Sequence, residues 1–105
     1  MKYLKTYEEI QSEPQVGDYV LCEDSSQIPE LNEFFKNTIG RIISKTINQA
    51  YELQYTDIIE NIERFFIYNG DTKTYIRIMY LDEIIHFSPN KEDIEQILIN
   101  NKYNL

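Results

Sequence analysis

The chain has one cysteine, no tryptophan, three glycines and three prolines, and only 10 basic residues against 18 acidic ones. Each shortage narrows the possibilities. A lone thiol, Cys22, rules out an internal disulfide, and with His86 as the sole histidine the chain falls short of the roughly four Cys/His ligands of a structural zinc site. The opening "MKYLKTYEEI" lacks the apolar stretch of a secretory signal, and no run approaches the roughly 20 apolar residues of a membrane span. We therefore expect a cytoplasmic protein, of a bacterial cell or of an infected host cell. No nucleophile–base pair, phosphate loop or metal constellation stands out, so neither an enzyme nor a cofactor is expected, and a small enzyme of unknown class is the third of three readings.

The shortage of cations leaves a formal net charge of −8. Such a charge repels phosphate backbones at long range, so direct nucleic-acid binding is disfavoured and a basic protein partner favoured. The charges are unevenly spread. Through residue 33 the acids Glu8, Glu9, Glu13, Asp18, Glu23, Asp24, Glu30 and Glu33 meet only Lys2 and Lys5, whereas residues 34–51 hold no acid and carry Lys36, Arg41 and Lys45. Heavy use of Ile, Asn, Lys, Glu and Tyr fits an AT-rich coding sequence, as in a low-GC bacterium or its phages.

At 105 residues the chain can bury one core, and we read it as a single domain over 1–105. "TYEEI" offers Thr6 as a helix N-cap with Glu9 at capping-box spacing. In "VGDYVLCE" both faces carry apolar groups, which predicts a first strand covered on two sides, with Gly17 turning the chain into it. "IPELNEFFKN" predicts a helix over about 29–37, with Pro29 in its first turn and Leu31, Phe34 and Phe35 on its apolar face. "TIGRIISK" reads as a strand with a kink or bulge at Gly40, "TINQ" as a turn, and "AYELQY" as a half-buried strand with Tyr51, Leu53 and Tyr55 inward. Asp57 is a candidate cap for a short helix through "IIENIERFF", and "YNGDT" supplies a turn. "TYIRIMY" and "EIIHF" complete five strands, and a helix over about 90–101 closes the chain behind Ser88 or Asn90 with Ile94, Ile97 and Leu98 facing the core.

Five short strands with helices between them predict an α+β domain built on a small antiparallel barrel, approximately residues 14–88. "VGDYVLCE" with the later "IGRIIS" resembles the opening half of a KOW or Src-homology-3-like barrel, and "AYELQY" with "IRIMYLDEIIHF" resembles its third to fifth strands, "LDE" standing where a one-turn helix often lies. The helix after strand 1 is an insertion relative to that pattern. The resemblance implies a binding module, and such barrels host RNA, ribosome, peptide and methyl-lysine contacts alike.

Two partner surfaces follow. The acids Glu8, Glu9, Glu23, Asp24, Glu30 and Glu33 can imitate a phosphate backbone and dock on a basic nucleic-acid-binding protein, as small phage-encoded inhibitors of host defence, some anti-CRISPR proteins among them, do. Alternatively Lys36, Arg41 and Lys45 form an anion contact in a KOW-type accessory factor of RNA, ribosome or transcription machinery. Nine tyrosines also raise an aromatic groove, with Tyr19, Tyr51, Tyr55, Tyr75 and Tyr80 as strand-borne candidates, against their use as core and cross-strand pairs. His86 and Cys22 are expected to be wall and core residues.

Overall fold

The computed structural model describes residues 13–103; the expected Thr6-capped helix, Glu8 and Glu9 lie outside them. The elements in chain order are β1 (Tyr19–Cys22), α1 (Pro29–Asn37), β2 (Gly40–Lys45), β3 (Ala50–Tyr55), a 3-10 segment (Glu60–Phe65), β4 (Ile67–Asn69), β5 (Thr74–Tyr80), a 3-10 turn (Leu81–Glu83), β6 (Ile84–Ser88) and α2 (Lys91–Tyr103). All neighbouring strands are antiparallel, in the order β4-β5-β3-β2-β1-β6.

Two expectations change. There are six strands rather than five, because β4 forms from three residues, too few to show a period of two, at a site read as the lead-in to a turn. Nor does any ladder among the described residues join β4 to β6, so the sheet is open, with these two strands at its edges.

Parity along the strands divides the sheet into two faces. The inner face carries Val20, Cys22, Ile42, Tyr51, Leu53, Tyr55, Met79 and Ile84, and α1 lays Leu31, Phe34 and Phe35 over it. Burying each of these large side chains stabilises the fold by roughly 1.5–3 kcal/mol. Rings tighten the layer: Phe34, Phe35, Tyr55 and Phe66 lie with centroids 5.3 to 5.9 Å apart, mostly edge to face. The other face of β1 and β6 is covered by α2, which packs on those two strands with Ile94 buried. Leu21, on the face opposite to Val20, is therefore buried too, as a strand covered on both sides requires.

Local chemistry explains most boundaries. Gly17 adopts φ +99°, open to glycine without strain, and the turn it makes leaves Val16 exposed ahead of the strand. Pro29 opens α1 and the helix ends at Asn37. Gly40 lies in β2 but makes no bulge; a Cβ there would come within 2.5 Å of the Tyr55 ring, so glycine is needed for close approach. The bulge falls between Ile42 and Ser44 instead. Asp57 does not cap a helix: Ile59 stands at the N-cap position with no side-chain cap, and the six uncapped residues that follow stay in the tighter 3-10 form. At α2, the Ser88 hydroxyl accepts from the Asn90 amide (3.1 Å) and donates to Asp93 Oδ2 (2.8 Å), which draws an acid to the positive helix end.

Candidate functional site: an acidic helical layer with a tyrosine cleft

The loop leaving β1 carries Glu23 and Asp24 of the acids singled out in the sequence, α1 carries Glu30 and Glu33, and a buried polar network fixes the loop. Asp24 Oδ1 accepts from Arg77 Nη2 at 2.7 Å, its other oxygen accepts from the amide and the hydroxyl of Ser26, and its own amide donates to Asn32 Oδ1 of α1 at 2.9 Å. The Asp24 side chain is 1% exposed and that of Arg77 22%. Burial alone would raise the carboxyl's pKa. The hydrogen bonds from Ser26 and the Arg77 guanidinium outweigh it and hold Asp24 below the ordinary carboxylate value.

Arg77 occupies an inner-face position of β5, opposite Leu53. Besides Asp24 it donates from Nη1 to the Phe65 carbonyl (2.9 Å), and its guanidinium carbon lies 5.9 Å from the centre of the Phe35 ring. One side chain thus ties the β1–α1 loop, the 3-10 segment and α1 to the sheet. Glu83 performs the corresponding task at the β5–β6 turn: it accepts from the Tyr80 amide (2.9 Å) and from the amide and hydroxyl of Ser25 (3.1 and 2.8 Å). Among the described residues, Arg77 Nε and the Tyr55 hydroxyl are buried with no nitrogen or oxygen hydrogen-bond partner, the Tyr55 hydroxyl lying beside the Cys22 thiol.

These contacts correct the expected acidic surface. Asp24 is withdrawn from it, being buried and committed to Arg77, while Glu23, Glu30 and Glu33 are exposed. The 3-10 segment adds Glu60 and Glu63, also exposed and unforeseen in the sequence. Its end packs on α1 through Phe66, 5.7 Å from Phe34 and 5.8 Å from Phe35, so α1 and this segment form one acid-bearing layer over the inner face. Among the described residues the ion pairs are Arg77–Asp24 and Lys45–Glu13 (2.8 Å), and neither involves these five exposed acids.

The three expected cations do not gather on one face. Lys36 lies in the last turn of α1. Arg41 pairs with Gln54 and Lys45 with Tyr51, neighbours of opposite parity on β3, because the extra residue Ile43 shifts the alternation between them. Arg41 lies over the Tyr19 ring (5.5 Å), whereas Lys45 reaches Glu13 and the Tyr51 ring (5.5 Å). Donation to Glu13 raises the Lys45 pKa.

The tyrosines separate into two groups. Tyr51 and Tyr55 are core residues, 1% exposed each; Tyr19 lies beneath Arg41, and Tyr80 is exposed on the opposite face from the core. Tyr75 faces Tyr68 across the β4–β5 hairpin, with ring centres 5.0 Å apart. Together with Glu60, Glu63 and Arg64 these two rings line an open cleft of about 600 Å³. The Tyr75 hydroxyl donates to Glu63 Oε2 at 3.2 Å, and partial burial together with that carboxylate keeps its pKa above the ordinary value. Arg64 also lines the cleft but forms no ion pair with either acid; it donates to the Asn61 carbonyl (2.6 Å) and rests 4.5 Å from the Phe65 ring centre.

Cys22 is buried. Burial pushes its thiol up to about 12, with the charges of Glu83 and Asp24 adding to the shift and the neighbouring Tyr55 hydroxyl opposing it. His86 is half-buried on β6, opposite Leu21. Among the described residues no three His, Cys, Asp or Glu side chains converge as a metal site, and no helix is long and apolar enough to cross a membrane.

Fold and site together define a small α+β domain with an open six-stranded antiparallel sheet and an acid-bearing helical layer on one face. Comparison of the chain with protein-family models, with curated proteins and with solved structures finds no match.

Proposed function

We propose that the chain is a non-enzymatic protein-binding module that docks its acidic layer on a basic, nucleic-acid-binding protein. The observation that carries this reading is the selective treatment of the acids: Asp24 is neutralised inside, while Glu23, Glu30, Glu33, Glu60 and Glu63 stay at the surface without a cation from any described residue. A net negative field from a fixed layer, in which these five acids outnumber Lys36 and Arg64, accelerates encounter with a surface of the opposite sign and repels phosphates. This acidity supports an inhibitor encoded by a phage or mobile element and aimed at a host defence protein. A Src-homology-3-like scaffold is supported by the adjacency of β6 to β1 and by the 3-10 turn at Leu81–Glu83, the position the resemblance reserves for a one-turn helix.

The test is capture from a plausible host lysate by the tagged protein, compared with the triple variant Glu23→Lys, Glu30→Lys, Glu33→Lys. The expected result is retention of a nucleic-acid-binding protein that high salt releases and duplex DNA competes away, with retention lost in the variant. Equal retention by a correctly folded triple variant refutes the docking reading.

A further inference from the structure

We propose that the cleft between the Glu60–Phe65 segment and the Tyr68–Tyr75 ring pair binds a cationic side chain, arginine or lysine, presented by a protein partner. The inference rests on the docking reading for the source of the cation and adds to it a place and a mode of recognition.

Three observations converge on it. The cleft has two aromatic walls, Tyr68 and Tyr75, set 5.0 Å apart and inclined by 50°, so their negative ring faces are not spent on a parallel stack. It has two carboxylates, Glu60 and Glu63, and the Tyr75 hydroxyl anchors one of them by donating to Oε2. The cation nearest in sequence, Arg64, also lines the cleft yet leaves both carboxylates unpaired, because the Asn61 carbonyl and the Phe65 ring hold its guanidinium. A pocket with π faces on one side and two carboxylates outnumbering the single Arg64 guanidinium on the other attracts a cation through both ring quadrupole and charge. Its volume of about 600 Å³ lies within the usual range of ligand pockets, and its openness on the protein surface suits a side chain arriving on another chain rather than an enclosed small molecule.

The chemistry also discriminates between cations. A guanidinium stacks flat on a tyrosine face and can present two N–H groups to one carboxylate, whereas an ammonium binds as a point charge. Arginine is therefore expected to bind more tightly than lysine at this cleft.

The probe is Nα-acetyl-L-arginine amide, titrated into the uniformly ¹⁵N-labelled full chain, with the lysine and alanine analogues as comparisons. Expected shifts concentrate on residues 60–68 and 74–76, with the order arginine, then lysine, then no response to alanine. Tyr68→Leu, which keeps an apolar side chain on an exposed edge position, weakens arginine binding roughly two- to fivefold, the effect of losing one ring at an exposed site. Glu63→Gln weakens it comparably, and Glu30→Gln, on α1, leaves it unchanged. Shifts spread evenly over the acids of α1, or a Tyr68→Leu variant that binds as well as the wild type, overturn the proposal. The two readings fail separately. Loss of partner capture in the Glu23/Glu30/Glu33 variant with full capture by Tyr68→Leu removes the cleft and keeps the docking surface; arginine binding at the cleft with capture insensitive to the triple reversal does the opposite.

Discussion

Removing the guanidinium at Arg77 isolates the ion pair that holds the acidic layer to the sheet. In Arg77→Met the Asp24 carboxylate, 1% exposed in the wild type, keeps its two Ser26 donors but loses the one cation paired with it among the described residues. Breaking a buried pair from one side generally costs about 3–5 kcal/mol. The variant also frees the Phe65 carbonyl, so the upper part of that range is expected here. Asp24→Asn costs less, about 2–3 kcal/mol, because the stranded guanidinium retains the Phe65 carbonyl and 22% exposure to water. The double variant should be more stable than the sum of the two losses predicts by about 1 kcal/mol or more, since neither mutation can then leave a charge uncompensated. Urea unfolding followed by circular dichroism gives all four corners of the cycle, and at roughly 4–8 °C per kcal/mol the Arg77→Met loss is also visible in Tm. Acid supplies an independent check. Asp24 titrates below its unfolded value of about 3.9, so its contribution is complete above that pH and disappears as the pH falls through the lowered native value. The gap between wild type and Asp24→Asn must therefore close below about pH 4. A loss under about 1 kcal/mol for Arg77→Met, or strict additivity, refutes the reasoning.

Gly40→Ala puts a methyl 2.5 Å from Tyr55 Cζ, and that ring cannot retreat because Phe34, Phe35 and Phe66 surround it; a loss of about 2–3 kcal/mol is expected in the same unfolding assay, and a neutral substitution would contradict the packing described. With its thiol held near pKa 12 by burial, Cys22 should resist iodoacetamide at pH 8 in native buffer and react like a free thiol in urea; mass spectrometry showing rapid native labelling would mean that β1 opens readily.

What the sequence revealed follows from how local each signal is. The apolar set Leu31, Phe34 and Phe35 behind Pro29 defines a helix by its own spacing, and Tyr51, Leu53 and Tyr55 define an inward face by strict alternation, so both were legible. The two-sided covering of β1 was legible for the same reason. Asp24 and Arg77 are 53 positions apart, and nothing near either indicates that an acid in a polar loop will be buried by an arginine on a strand. Residues 67–69 were too short to register as a strand, which concealed the pairing of Tyr68 with Tyr75 and with it the cleft. The Asn-Gly signal in "YNGDT" would not have revealed it either: a two-residue turn there sets Tyr68 opposite Asp71, whereas residues 70–73 form the connection and Asn69 pairs with Thr74.

The bulge at Ile43 decides more than local twist. Without it Arg41 and Lys45, four residues apart on one strand, would share a face, as their sequence spacing suggests. With it, Arg41 rests on Tyr19 on one side while Lys45 joins Glu13 and Tyr51 on the other. Arg64 and Arg77 are likewise engaged within the molecule, by a carbonyl and a ring in one case and by Asp24, a carbonyl and a ring in the other. The fold thus commits several of its few cations to internal contacts while leaving acids on α1 and the 3-10 segment exposed. Around that layer the field is set by the spatial sorting of charge as much as by the net charge of −8, and a partner that recognises it must supply the positive charge that the fold holds elsewhere.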